Sequence, residues 1–480
     1  MKKIFIILLL ILSPTIVSAT ITETDSTPTV AEVQTLVDNA TAGDTVKFMG
    51  NATWSTTVTI GKAITIDGNS KTLTSSGSLS QGFFYINGFT STDLVRITGF
   101  TFQMAGAERG IYSVDVDLTQ LRIDHNTFHH GGTQMEITGA KGVIDNNYFY
   151  NHRGYSIVYS AGSRAQADAS WVSMAAGTSD ALFIEDNHFI KDANYTGSSY
   201  GTDIDTDNGG KLVIRYNTWN STTSPASILS TIYPIQLHGN ACGGCDSVNK
   251  AYWQNDATAR RGQSVVEIYN NTMAGRRIDR LATIRGSAVL IHDNAITGTV
   301  AYDPQIYFYE EEYYLDSQFY PLRTAWPAED QTHNTFIWNN TYKGYDFNDG
   351  VYGYVSADNA ASGLLKDRDF FLHAPCGASD SVDAYGNACT HGKERFVTVI
   401  DCTSSQTPYK CCTGNGTGNC RNGASESSPT DGSTYSNYGT MIFEATGDNF
   451  YYGYTPYTYP HPLRGLGNRL SGGVVAGGTF

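Results

Sequence analysis

Asp205, His238 and Arg285 each follow a branched apolar residue and precede a small one, in the runs Ile204-Asp205-Thr206, Leu237-His238-Gly239 and Ile284-Arg285-Gly286. Ile137-Thr138-Gly139 has the same shape. If each run ends a strand in its own coil, the three polar side chains stand in one outward column, with neighbours about 4.8 Å apart. That trio is chemically useful. An arginine fixes a substrate carboxylate by two parallel hydrogen bonds. An imidazole takes or gives a proton near neutral pH, and an aspartate orients it. Arg280 adds a second guanidinium, and Glu310, after Tyr309, extends the column. The plain alternative is a cross-strand ion pair on the surface, worth under about 1 kcal/mol.

Other polar groups compete for or add to this site. Asp203, Asp205 and Asp207, followed by Asn208-Gly209, have the acidic spacing of a calcium loop. Ile214 stands at the twelfth position, so the loop is not an EF-hand. A calcium ion on Asp205 would stop that residue orienting His238, so the two readings exclude each other. His152 and Arg153, like His129 and His130, flank neighbouring turns and are candidates to line a substrate groove. Glu136 and Glu310 are the carboxylates that could pair with Asp205 for hydrolysis, which requires a separation of ~5 or ~6.5–9.5 Å.

The elements that must position these residues announce themselves by repetition. Ile123-Asp124-His125-Asn126-Thr127-Phe128 returns as Ile184-Glu185-Asp186-Asn187-His188-Phe189 and as Ile214-Arg215-Tyr216-Asn217-Thr218-Trp219. Further copies centre on Asn147, Asn271, Asn294 and Asn340. The spacings correspond to one or two coils of roughly 20–25 residues plus insertions, the period of a strand solenoid. Each copy reads as a short strand with alternate apolar residues, closed by a polar turn. Stacked coils would set Ile on Ile and ring on ring, with the asparagines forming an internal hydrogen-bonded ladder. Two insertions, roughly 162–179 and 240–260, would emerge on the flank, where solenoids build binding surfaces.

The ends and the composition bound the rest. Lys2 and Lys3, the apolar run Ile4–Leu12, Pro14 and Val17-Ser18-Ala19 read as a secretory signal over residues 1–19. That run is too short to span a bilayer, so a secreted, extracellular protein without membrane insertion is expected. The formal charge of −15 argues against a nucleic-acid partner. Eight cysteines in an exported chain suggest disulfides, with Cys242 and Cys245 in one loop and six others after residue 375. Val30–Val37 has helical apolar spacing and would cap the open end of the coils. The expected organisation is a parallel β-helix over 20–345, then an irregular disulfide-rich cap over 346–480 packed on the solenoid.

Gly43-Asp44-Thr45-Val46, Ala52-Thr53-Trp54 and Ile64-Thr65-Ile66-Asp67-Gly68, followed by these coils, resemble the pectin-lyase-like right-handed parallel β-helix superfamily. Arg280-Leu281-Ala282-Thr283-Ile284-Arg285 resembles the R-x-P-x-x-R run of pectate lyases, in which an arginine is the base, with Ala282 where the family has proline. Ile123-Asp124-His125 is similar to the Ile-Asp-His of the same enzymes, although in a solenoid Asp124 would face out and His125 would begin the turn. The resemblance implies an all-β right-handed solenoid and an extracellular polysaccharide as partner. The expected function is a polysaccharide lyase acting on an acidic, uronate-containing polymer, with calcium as a candidate cofactor. Arg285, helped by Arg280 or calcium, would neutralise the uronate carboxylate, and His238 or an arginine would remove the adjacent proton. A non-catalytic glycan-binding adhesin or matrix protein, and a glycoside hydrolase using paired carboxylates, remain the alternatives.

Overall fold

The structure, a computed structural model, describes residues 19–106, 108–162, 176–191, 202–207, 209–221, 233–237, 263–275, 280–284, 288–297, 305–308, 335–346, 354–357, 370–376, 381–383, 395–399, 442–446 and 454–465, with isolated residues between them. The architecture is all-β, built of stacked parallel strands as in a parallel β-helix. One sheet has 22 described strands and a second has ten. The ten run in chain order from Val58–Ile60 through Arg109–Val114, Thr133–Thr138, Tyr155–Ser160, Thr202–Asp207, Tyr233–Leu237 and Arg280–Ile284 to Tyr354–Ala357.

The repeated phrase makes the register. Ile66, Ile97, Ile123, Ile144, Ile184, Ile214, Ile268, Ile291 and Ile337 pair rung to rung, and all are fully buried. Beside them Phe102, Phe128, Phe149, Phe189 and Trp219 stack with centroids 4.8–5.0 Å apart and planes within 7–19°. That distance is the strand spacing itself, so identical rings on successive rungs meet at contact distance.

The asparagines form the predicted ladder. The backbone N–H of Asn126 donates to Asn147 Oδ1 (3.0 Å), and the pattern continues through Asn187, Asn217, Asn271 and Asn294 to Asn340. Each amide NH2 also donates back to a carbonyl of the preceding rung, as Asn217 Nδ2 does to Ile184 O (2.8 Å). The residue before each asparagine has positive φ: His125, Asn146, Asp186, Tyr216, Asn270, Asp293 and Asn339 lie at 52–56°. This left-handed residue turns the chain from one short strand into the next. Five of these seven are Asn or Asp, the non-glycine types that tolerate the conformation best.

A helix, Val30–Asn39, precedes the coils and buries Val33 and Val37 one turn apart. Thr29 and Glu32 form a reciprocal capping box at its start. Gln34 on its flank accepts from Thr59 N (2.8 Å) and donates to Thr59 O (3.0 Å), satisfying the end strand of the ten-stranded sheet. Among the described residues no helix is long and apolar enough to cross a membrane. The expected signal segment, Cys242, Cys245 and the cysteines from 389 onward lie outside the described residues. Cys376 is buried and disulfide-bonded.

Residues 454–465 lie along the solenoid rather than only at its far end. Tyr454 Oη donates to Glu267 (2.7 Å), Tyr457 and Thr458 carbonyls accept from Arg215 (2.6 and 2.9 Å), and the Leu463 and Arg464 carbonyls accept from Arg122. The segment thus runs back over the outward face of the strands that carry the isoleucines. Asp124 does sit on that outward face, and His125 does begin the turn. Asp124 is nevertheless fully buried, because Arg96 (2.7 Å) and Arg122 (3.3 Å) close over it.

Candidate functional site

Residues 454–465, a strap over the isoleucine-bearing strands, leave the ten-stranded sheet with a different outer face. Its register sets Tyr85, Tyr112, Glu136, Val158, Asp205, Gln236, Thr283 and Tyr307 side by side on eight successive rungs. Residues on either side of this line, such as Ile111, Met135, Ile157, Ile204, Ile235 and Ala282, are buried in the core. The line is therefore the outward half of the strand alternation.

An arginine–aromatic pair stands near each end. Tyr85 and Tyr112 stack at 5.3 Å, Arg109 lies 4.9 Å over the Tyr112 ring, and its Nε bonds Glu136 at 2.7 Å. At the other end Arg280 lies 4.4 Å over Tyr307 and its Nη1 approaches Thr283 Oγ1 at 3.4 Å. Tyr112 and Tyr307 are six rungs apart, about 29 Å at the usual strand spacing. Between them the line carries Glu136, Asp205, Gln236 and Thr283, of which Asp205 and Thr283 are buried. Aromatic rings, guanidinium groups and these hydrogen-bonding groups together suit a polar polymer with apolar ring faces.

Asp205 does not share a rung line with the position expected for it. Ile204 pairs with Ile235, and Thr206 pairs with Leu237, which in turn pairs with Ile284. Asp205 therefore stands beside Gln236 and Thr283, two residues out of step with the expected alignment. The reason is Thr206, which is fully buried and takes an interior place that the pattern assigned to apolar residues only. Asp205 itself is 6% exposed and accepts from Thr206 N at 3.1 Å. His238, Arg285 and Glu310 lie outside the described residues.

The remaining candidates fall in separate places. Glu136 is on the outward line, held by Arg109. Arg153 is exposed, whereas His152 points into the coil and bonds Asp203 Oδ1 at 2.6 Å. Lys191 reaches the same oxygen at 3.2 Å, so Asp203 is occupied by an imidazole and an ammonium. Burial opposes the charged form of all three. The Lys191 charge and the His152 hydrogen bond outweigh burial at Asp203 and lower its pKa, while the His152 and Lys191 pKa values are also lowered. Asp207 ends its strand, and its side chain lies outside the described part. Among the described residues no three His, Cys, Asp or Glu groups converge as metal ligands do.

Sequence reasoning passed over Tyr85, Arg109 and Tyr112, and also the charged line beneath the strap. The signal for the first group was present: Tyr85 and Tyr112 are outward residues of two short alternating runs. No family model matches the chain, and no curated protein matches it significantly.

Proposed function

We propose that this chain is a carbohydrate-active protein of pectin-lyase-like, right-handed β-helix type that holds an acidic polysaccharide along the outer face of the ten-stranded sheet. In this reading the helix Val30–Asn39 would close one end of the coils and a C-terminal cap the other, with residues 454–465 strapping the flank. The observation that carries the reading is the continuous register from Tyr85 to Tyr307, with half-exposed tyrosines under Arg109 and Arg280 near its ends. In a protein of charge −15, a polyanion needs such local cations to bind.

The proposed reaction is β-elimination. Arg280 would neutralise the uronate carboxylate, which acidifies the adjacent C5–H; His238 would take that proton, the C4=C5 double bond would form as the C4–O glycosidic bond breaks, and the departing oxygen would take a proton from water. Incubation with polyuronates while following ultraviolet absorbance of unsaturated ends tests this, with Arg280→Ala losing most of the turnover. No absorbance rise on any polyuronate, with or without calcium, would reject the lyase reading. Binding without cleavage is the second reading. It is favoured by the placement of Asp205 beside Gln236 and Thr283, neither of which accepts a proton at neutral pH.

A further inference from the structure

A separate pocket opens at the corner where the ten-stranded sheet hands the chain to the larger sheet. In one coil that corner is the single residue Gly139, between Thr133–Thr138 and Ala140–Asp145. Its φ is +75°, and a Cβ there would lie 2.0 Å from Val116 O, so the corner must stay tight. Two rungs on, the corner again turns on glycine, Gly210 at φ +100°, packed against the Tyr159 ring. The coil between them carries the insertion that follows Ser160, and Gln166 and Ser170 from it lean back on Val116 O (3.1 Å) and Gly210 N (3.0 Å). Beside these two low corners, with Gln166 and Ser170 in its lining, lies a pocket of about 180 Å³.

Its polar lining is specific. Lys211 Nζ bonds Asp180 Oδ2 at 2.5 Å, and Lys141 bonds the other oxygen of the same carboxylate. Burial acts against the Asp180 charge, but the two lysines outweigh it and hold the pKa below its ordinary value. The Lys211 side chain is 6% exposed, while Lys141 is 44% exposed and so reaches the mouth. Two ammonium groups and two carboxylates, Asp180 between the lysines and Asp117 beyond them, line the pocket, and Lys141 is the cation at its mouth. Asp117 stands exposed at the rim.

We propose that this pocket binds one carboxylate-bearing sugar ring, a uronic acid unit. Its carboxylate would meet Lys141, and its hydroxyls would bridge Lys211, Asp180, Gln166 and Ser170. The volume equals that of about six waters, enough for one ring and too little for a run of rings. The proposal takes its sugar class from the acidic-polysaccharide reading but concerns a different surface.

Calorimetric or saturation-transfer titration of the full chain with galacturonate, glucuronate, galactose, glucose and acetate tests it. Uronates should bind saturably, with the neutral hexoses and acetate weaker by about tenfold or more. Ala161→Trp, which adds bulk at a half-buried lining position, should abolish uronate binding without shifting the melting temperature, and Lys211→Met should weaken it. Absence of saturable uronate binding, equal binding of neutral hexoses, or undiminished binding by Ala161→Trp would overturn the proposal. Galacturonate titration with the Ala161→Trp variant reads the pocket, and polygalacturonate titration of the native chain reads the outer face. Polymer failure with monomer binding preserved would therefore sink only the outer-face reading.

Discussion

At the scale of single residues, the asparagines carry more than their sequence frequency suggests. Asn217 accepts from Asn187 N and Nδ2 and donates to Ile184 O, Arg215 O and Asn271 Oδ1, all within 2.8–3.1 Å in a buried setting. Asn217→Ala leaves several of these groups unpaired, each worth about 1–3 kcal/mol. Denaturant unfolding should show a loss of about 3 kcal/mol or more, against less than about 0.5 kcal/mol for exposed Asn220→Ala. Asn270 tests the turn rather than the ladder. Its φ of 54° makes Asn270→Val unfavourable by about 1–2 kcal/mol, whereas Asn270→Gly should be close to neutral by the same measurement. The ladder was legible in the sequence because the same residue recurs beside the same isoleucine. The left-handed turn was equally visible in hindsight, since Asn and Asp crowd the preceding position.

At the scale of elements, the strap is the contact that sequence could not foresee. Arg215 is fully buried, held by Glu185 (2.6 Å), Tyr269 Oη (2.8 Å) and two strap carbonyls whose residues lie 242 and 243 positions away. Nothing local encodes such a pairing. A surface arginine in an alternating strand looks the same whether or not a distant segment returns to cover it. The strap should respond to acid through His461. Burial and the Arg215, Arg122 and Arg464 charges lower its pKa to about 4, and Glu185 Oε1 accepts from its backbone N–H. A histidine depressed in the folded state contributes stability above its unfolded pKa, near 6.5, and loses that contribution as pH falls toward 4. The loss is at most about 3 kcal/mol. Protection factors at residues 457–463, which divide out the intrinsic pH dependence of amide exchange, should therefore fall between pH 6.5 and 4 in the native chain. In His461→Phe that fall should shrink; an unchanged profile would point to the carboxylates instead.

The same scale explains why the expected catalytic line shifted. Strand alternation predicts which residues face inward only when interior places are apolar. Thr206 breaks that rule, and one buried threonine moves Asp205 two places along the rung relative to Leu237. The ten-stranded sheet itself was readable from its alternating strands, but its exact register was not.

At the scale of the molecule, the solenoid presents two contrasting outer faces. One carries buried ion pairs sealed under residues 454–465, and the other carries the line from Tyr85 to Tyr307. In a chain of charge −15, Arg109 and Arg280 on their tyrosines are the cations proposed to receive a polyuronate on this face. The most direct test is calorimetric titration of the full chain with polygalacturonate, set beside the double variant Arg109→Ala/Arg280→Ala. Saturable polymer binding that falls by about tenfold or more in the variant, with an unchanged melting temperature, is the predicted result. Equal affinity of the two proteins for the polymer, or none in either, would contradict the account.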